Sequence, residues 1–101
     1  MARFDVYPSP AKGSAGYVLD VQANLLRDLD TRVVVPLLPP ERAPKPARGL
    51  NPAFEINGQT HLMLTQFVAA VPAKELKRSM LSLDTRSDDI TRALDLLLVG
   101  F

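Results

Sequence analysis

The sequence predicts a mostly β domain of the α+β class, in which several antiparallel strands are followed by one C-terminal helix. Three observations predict it: a strongly β-branched run at residues 32–38, an Asn57-Gly58 turn between two alternating segments, and apolar residues at helical spacing after residue 84. Strands and helix are segregated along the chain, as in α+β folds and small β-barrels. The length of 101 residues suits one domain over residues 1–101.

Two strands are expected near the N-terminus, where apolar and polar residues alternate. The first covers residues 3–7 and is half-buried, with Phe4 and Val6 alternating with the polar residues around them. A polar, glycine-containing loop over residues 11–16 leads to the second strand at residues 17–21. The two strands therefore form a hairpin with a long loop. The leucines that follow lie among polar residues and indicate a turn or short connector: Leu25, Leu26 and Leu29.

The β-branched run predicts the central strand of the sheet. Pro36 lies inside it, and because proline has no N–H to donate, we expect the pairing to break or bulge there. Residues 39–52 then hold five prolines and predict an irregular or polyproline-like excursion. The charges of this excursion form a weak basic patch, for which a solvated loop is the simplest interpretation: Glu41, Arg42, Lys45 and Arg48.

A β-hairpin is the clearest local prediction. Asn57 and Gly58 suit the two positive φ angles of a type I′ turn. A two-residue loop also sets the register, which pairs Phe54 with His61, Glu55 with Thr60 and Ile56 with Gln59. The return strand is expected to continue over residues 59–71. Residues 73–83 fit either a helical turn or a final short strand.

The last segment predicts a helix with Asp84 as its N-cap. Asp88 and Asp89 lie in its early turns, where the helix dipole favours anions, and Gly100 ends it as the C′ residue. Its apolar stripe comprises Ile90, Ala93, Leu94, Leu97 and Leu98. The final tripeptide is apolar, flexible and aromatic. Phe101 packs on its own core or against a second copy of the chain, or it inserts into the pocket of a partner.

Composition and motifs argue against several classes of function. A net charge of +1 gives no electrostatic case for direct binding to nucleic acid or membranes. The chain has no cysteine and no apolar run of signal-peptide or bilayer length, so we expect a complete, soluble, cytoplasmic protein. The single histidine, His61, is expected to be a cross-strand neighbour of Phe54 and not a base. We therefore expect no enzyme, no cofactor and no metal site.

Short segments spread over nearly the whole chain carry a resemblance to a known family. They are Phe4-Asp5-Val6-Tyr7, Leu19-Asp20-Val21-Gln22, Val34-Val35-Pro36-Leu37, Val71-Pro72 and the closing Asp89-Ile90, Ala93-Leu94, Leu96 and Gly100. In this order and spacing the chain resembles the CcdB family, the toxins of plasmid-type toxin–antitoxin pairs. The resemblance implies an SH3-like antiparallel β-barrel with a small accessory sheet and a C-terminal α-helix, assembled as a homodimer.

The resemblance also implies a function that involves no catalysis. Members of the family bind the A subunit of DNA gyrase and trap its cleaved-DNA complex. A cognate CcdA-like antitoxin wraps the dimer with a disordered tail, neutralises it and represses the operon with it, so that operator DNA is bound only through that complex. The residues that match the gyrase-binding positions of the family are Leu25, Leu26, Asp95, Leu98, Val99, Gly100 and Phe101.

Three of these positions differ from the best-known members, which carry Trp in place of Val99, Ile in place of Phe101 and an uncharged amide in place of Asp95. Losing an aromatic anchor typically costs an interface about 2 kcal/mol or more. One alternative follows from these differences, a homologue that binds antitoxin without poisoning gyrase. A second follows from the resemblance in fold, because RNA-cleaving toxins of the MazF type share it. A MazF-like endoribonuclease needs an acid–base pair and cationic support for its transition state.

Overall fold

The computed structural model describes residues 2–11 and 16–101, which fold into a single antiparallel sheet and a C-terminal helix. The strands in this part of the chain are β1 (Asp5–Pro8), β2 (Tyr17–Asp20), β3 (Thr31–Leu38), β4 (Ala53–Ile56), β5 (Gln59–Met63), β6 (Ala69–Pro72) and β7 (Leu81–Ser82). The helix is α1 (Ser87–Leu98). The strand order is β4-β5-β3-β2-β1-β7, with β6 also paired to β3. The sheet curls into a half-barrel, which confirms the predicted barrel-like fold.

β3 is the central strand of the sheet, since it pairs with three other strands. One edge pairs with β2, from Tyr17 opposite Leu37 to Asp20 opposite Val34. The other edge pairs first with β6, over residues 31–34, and then with β5, over residues 37–38. The β4–β5 hairpin therefore extends from one end of β3 and β6 from the other end, all within the same sheet.

The predicted break at Pro36 is found on one edge of β3, where the pairing changes from β6 at Val34 to β5 at Leu37. It was wrong for the β2 edge, where Pro36 lies opposite Val18 in an uninterrupted register. The Pro36 carbonyl accepts the Leu64 N–H at 2.9 Å. The nitrogen and carbonyl of a strand residue point to the same edge, so the Pro36 nitrogen also faces the edge where β3 changes partner. Because β3 changes partner on this edge, the residue there does not need to donate a backbone hydrogen bond to a neighbouring strand. This explains why proline is tolerated in a central strand.

The hairpin has the predicted register, with Phe54 opposite His61, Glu55 opposite Thr60 and Ile56 opposite Gln59. Its turn has φ angles of 53° at Asn57 and 81° at Gly58, as a type I′ turn requires. Within the excursion at residues 39–52, a 3-10 turn at Pro40–Arg42 is the regular element, so the prediction of irregular structure is confirmed.

The continuous return strand over residues 59–71 was wrong. β5 ends at Met63, a 3-10 turn follows at Thr65–Phe67, and β6 is a separate strand. The Thr65 hydroxyl donates to the Leu50 carbonyl, and the Asn51 side-chain amide donates to the Met63 carbonyl at 2.9 Å. These bonds to the excursion replace the ladder bonds that a longer strand would make.

Two other segments differ in their boundaries. β1 begins at Asp5, because Phe4 has a φ of 76° and belongs to a turn, although its ring is in the core. Residues 73–83 contain both of the predicted alternatives, a 3-10 turn at Ala73–Glu75 and the short strand β7. The predicted loop over residues 11–16 includes residues 12–15, which lie outside the described part of the chain.

Asp84 is not the N-cap of the helix. It begins a 3-10 turn, Asp84–Arg86, and its N–H is bound by the Ser82 hydroxyl at 3.2 Å, so the chain enters α1 through a tighter turn. The N-cap residue is Arg86, which makes no capping hydrogen bond with its side chain. Asp88 and Asp89 do lie in the first turn of the helix, as predicted.

The sheet carries a hydrophobic cluster on each face. The larger cluster lies under the helix and includes Val35, Phe54 and the two helix residues Ile90 and Ala93. The smaller cluster covers the opposite face and contains Tyr7, Val18, Val34 and Leu76. The predicted stripe of α1 therefore holds for its first turns, whereas Leu98 at its end is 74% exposed and packs on neither cluster.

Candidate partner-binding site

The predicted site residues lie on two segments, the connector between β2 and β3 (residues 23–30) and the terminal segment (residues 98–101). The connector contains a 3-10 turn, Asn24–Leu26, none of whose residues is buried. Leu25 is 91% exposed and Leu26 is also exposed. On the terminal segment, Val99 is 60% and Phe101 is 86% exposed. Both segments therefore present apolar side chains that this chain does not cover.

A groove of about 480 Å³ lies between the connector and the end of α1. Its lining includes three of the predicted site residues, Leu26, Asp95 and Leu98. Val33 of β3 and Val68, just before β6, supply further apolar surface. The groove thus joins residues that are about 70 positions apart in sequence. The other predicted site residues lie outside its lining: Leu25, Val99, Gly100 and Phe101.

The connector is held by the buried side chain of Gln22. The Gln22 amide nitrogen donates to the Leu26 carbonyl at 2.9 Å, and the amide oxygen accepts the Val33 N–H at 3.0 Å. A further hydrogen bond holds the connector: the Arg3 backbone N–H donates to the Asn24 side-chain oxygen at 2.8 Å. These bonds fix the start of the connector against β3, and they therefore hold in place the turn that carries the exposed leucines.

Behind Gln22 lies a buried ion pair between Asp20 and Arg32. The Arg32 Nε donates to the Asp20 carboxylate at 2.9 Å, and both side chains are fully buried. The second carboxylate oxygen accepts the Gln22 N–H at 3.0 Å. Burial raises the pKa of the Asp20 carboxyl above its usual range, although the Arg32 and Gln22 hydrogen bonds act in the opposite direction. The pair supports the connector through Gln22.

Sequence reasoning did not single out this polar network. Its members appear only inside the resemblance motif Leu19-Asp20-Val21-Gln22 and at the start of the β-branched run. The signal that could have revealed it is the placement of Asp20 and Arg32 within segments that otherwise consist of buried strand residues, because charges at such places are paired.

The end of α1 directs the terminal segment away from the core. The Asp95 carbonyl accepts both the Val99 N–H at 2.8 Å and the Gly100 N–H at 3.0 Å. Gly100 has a φ of 96°, which confirms it as the C′ residue that ends the helix. Because the chain turns outward here, Phe101 does not pack on either core cluster of its own chain.

The site contains little chemistry besides apolar contact. His61 is buried, with its Nδ1 at 3.0 Å from the Gln59 carbonyl and its ring edge-on to Tyr17. Among the described residues, no group of histidine and acidic side chains has the arrangement of a metal site. No helix in this part of the chain has the length and hydropathy to cross a membrane.

Comparison with known families agrees with the curled sheet and the C-terminal helix. The family model described as CcdB protein matches residues 3–100. The chain belongs to the CcdB family. Membership of the CcdB family makes it the toxin of a toxin–antitoxin pair. All seven predicted site residues are described here, and all but Phe101 fall within the match.

Proposed function

We propose that this CcdB family member acts in the cytoplasm as a homodimer that binds the A subunit of DNA gyrase and traps its cleaved-DNA complex. A cognate CcdA-like antitoxin neutralises it and, in complex with it, represses the operon, so operator DNA is contacted through the antitoxin. The protein works by binding and not by catalysis. The buried position of its single histidine supports this mechanism over RNA cleavage.

The observation that carries the proposal is the apolar surface formed by the connector and the terminal segment. Leu25, Leu98 and Phe101 are among the most exposed large apolar side chains of the described chain. Monomeric proteins rarely leave such side chains together without a partner, and aromatic residues at the centre of a contact supply most of its energy. Phe101 is the aromatic residue of this surface and is therefore its expected anchor.

A second candidate is a toxin-fold protein that retains antitoxin binding and has lost the poisoning of gyrase. Asp95 favours it, because this residue lines the groove and adds a negative charge to the proposed contact surface. Val99 favours it as well, since a valine cannot stack as an aromatic ring does. The two candidates differ in one measurable property, which is the trapping of cleaved DNA.

The decisive experiment is a gyrase cleavage assay with purified protein, linear DNA fragments being the readout. We expect the wild type to accumulate double-strand breaks and to arrest growth when overexpressed. Phe101→Ser should lose trapping by about tenfold or more, as the loss of an interface anchor predicts. Met80→Ser serves as the matched control, because Met80 is an exposed apolar residue of the chain near β7 and should leave trapping unchanged.

Absence of trapped cleavage by the folded wild type would contradict the gyrase proposal and leave the antitoxin-binding candidate. Equal trapping by Phe101→Ser and the wild type would show that the terminal segment is not the contact. RNA cleavage by the pure protein would contradict both.

A further inference from the structure

The connector between β2 and β3 is ordered without burying any of its own residues. All of residues 23–30 are exposed, and the 3-10 turn within them contains no buried side chain. Apolar burial, which orders most of a folded chain, therefore contributes little to the conformation of this segment. The conformation depends instead on hydrogen bonds that reach the connector from the rest of the molecule.

Two of these hydrogen bonds hold the ends of the connector but do not reach its middle. Near the start, the Asn24 side-chain oxygen accepts the Arg3 N–H at 2.8 Å, in an exposed position. At the end, the Asp30 carbonyl accepts the Ala73 N–H at 2.8 Å. Residues 25–29 lie between these two bonds, and they include the exposed leucines of the proposed contact surface.

The middle of the connector is held by the side chain of Gln22. The Leu26 carbonyl accepts the Leu29 N–H at 3.1 Å within the connector, and it also accepts a hydrogen bond from the Gln22 amide nitrogen at 2.9 Å. In the described part of the chain, no other side chain bonds to residues 25–29. Gln22 is 6% exposed, so water has little access to the amide that makes this bond.

Gln22 is itself held in place from two sides. Its side-chain oxygen accepts the Val33 N–H at 3.0 Å, and its backbone N–H donates to the Asp20 carboxylate at 3.0 Å. The buried Arg32 guanidinium binds the same carboxylate. Both ends of the Gln22 amide are thus bonded inside the chain, so this residue acts on a partner through the turn that it holds and not by contact.

The order of an exposed turn affects how tightly a partner binds to it. A partner that docks on a mobile turn loses part of its binding free energy to the ordering of that turn, whereas a turn that is already ordered avoids this loss. The leucines of the connector have no apolar packing that would keep them in place after the loss of the Gln22 bond.

We propose that Gln22 is a positioning residue of the partner-binding site, whose side-chain amide holds the connector in the conformation that the A subunit of DNA gyrase binds. The Asp20–Arg32 ion pair acts on the same surface indirectly, because it fixes the backbone of Gln22. This role rests on the proposed function, since gyrase is the partner that the connector meets.

The test compares two substitutions that each remove a buried amide. Gln22→Met keeps the length of the side chain and removes both of its hydrogen bonds. Asn51→Leu is the matched control, because the buried Asn51 amide also joins a loop to the sheet, donating to the Met63 carbonyl at 2.9 Å, but lies outside the groove. Both substitutions should lower the free energy of unfolding, since each leaves buried backbone groups unpaired.

Affinity for the purified gyrase A subunit is the first measurement, by isothermal titration calorimetry on protein that circular dichroism shows to be folded. We expect Gln22→Met to raise the Kd by about tenfold, because the partner then has to order the connector, and Asn51→Leu to change it by less than about twofold. A difference between the two variants separates positioning from a general loss of stability.

Amide hydrogen exchange of the free proteins is the second measurement, and it needs no partner. In Gln22→Met, residues 24–30 should exchange about tenfold faster than in the wild type, whereas the β4–β5 hairpin should keep its rate. Asn51→Leu should leave the exchange of the connector unchanged. If Gln22→Met does not fold, Gln22→Asn takes its place, because its amide is one methylene too short to keep both bonds.

The outcomes separate this inference from the proposed function. Equal changes in Kd for the two variants would overturn the positioning role, and so would unchanged exchange of the connector in Gln22→Met. Faster exchange at wild-type affinity would overturn it as well, by showing that the connector is not part of the contact. A wild type that does not bind the gyrase A subunit would overturn the proposed function, and the exchange rates would still decide whether Gln22 holds the connector.

Discussion

The two faces of the sheet are buried by different kinds of side chain. The face under α1 is filled mainly by apolar side chains, among them the fully buried Val35, Leu37 and Ile90, and its one buried titratable side chain among the described residues is His61, opposite Phe54. The opposite face has a smaller apolar cluster and buries the Asp20–Arg32 ion pair beside it. Apolar packing tolerates small changes in shape, whereas a buried charge depends on its one partner. The second face should therefore be the more sensitive to single substitutions.

The largest expected effect is that of Arg32→Ala. It leaves the Asp20 carboxylate buried without its cation, and breaking one side of a buried pair typically costs about 3–5 kcal/mol. Arg32 also has an Nη1 that is buried without a hydrogen-bond partner among the described residues, so the pair is not ideally satisfied. The free energy of unfolding from urea titrations measures the effect.

The matched control for this prediction is a double variant, Asp20→Leu with Arg32→Met, which removes both charges and keeps much of the volume. Replacing a buried pair with apolar residues is often neutral or stabilising. We expect the double variant to be at least as stable as Arg32→Ala. A double variant that is less stable than Arg32→Ala would show that the pair does more than compensate for its own burial.

Ile90→Ala should have the next largest effect, on the apolar face. Ile90 is fully buried in the cluster under the helix, and such truncations cost about 2–5 kcal/mol, depending on how far the site can collapse. Leu98→Ala, on the same helix, should change the free energy of unfolding by less than about 0.5 kcal/mol, because surface substitutions rarely do more. Equal losses at the two positions would show that Leu98 packs in solution.

The contrast between Ile90 and Leu98 also shows how far the sequence can predict this molecule. The spacing of apolar residues assigned Ile90 and Leu98 to one stripe of the helix. Such spacing shows which side of a helix is apolar, but it does not show where the core beneath that side ends. Local chemistry predicted the Asn57-Gly58 hairpin to the residue, because turn type and register are set within a few positions. The end of β5 at Met63 was missed because it depends on Asn51 and Thr65, whose bonds join distant segments.

The same limit applies to the site. The family resemblance provided Leu25, Leu26 and the terminal residues, and composition marked them as apolar, but no pattern in the sequence joins the connector to the end of α1. The two segments meet only in the folded structure, where both line one groove. The Gln22 side-chain amide holds the connector there by bonding to Leu26 and to Val33 of β3. Hydrogen bonds of a single buried side chain leave no periodic trace, so a sequence cannot reveal them.

The smallest effect expected at neutral pH concerns Tyr7, on the charged face of the sheet, which is the face that buries the Asp20–Arg32 ion pair. Burial raises the pKa of the Tyr7 hydroxyl, and the nearby Asp5 and Asp20 carboxylates raise it further, whereas Arg32 acts against them. The unfolded chain loses the tyrosine proton near pH 10. Above that pH the folded state holds a proton that the unfolded state has released, so the free energy of unfolding falls as the pH rises through the native pKa.

Tyr7→Phe keeps the ring in its cluster and removes this titration. Between about pH 8 and pH 9, below the unfolded pKa, we expect wild type and variant to differ by about 1 kcal/mol or less, the usual net value of one hydroxyl group. Above pH 10 the wild type should lose stability more steeply than the variant in urea titrations at each pH. Parallel curves would show that Tyr7 ionises freely, and hence that the charged face is open to water around it and lacks the insulation of the face under the helix.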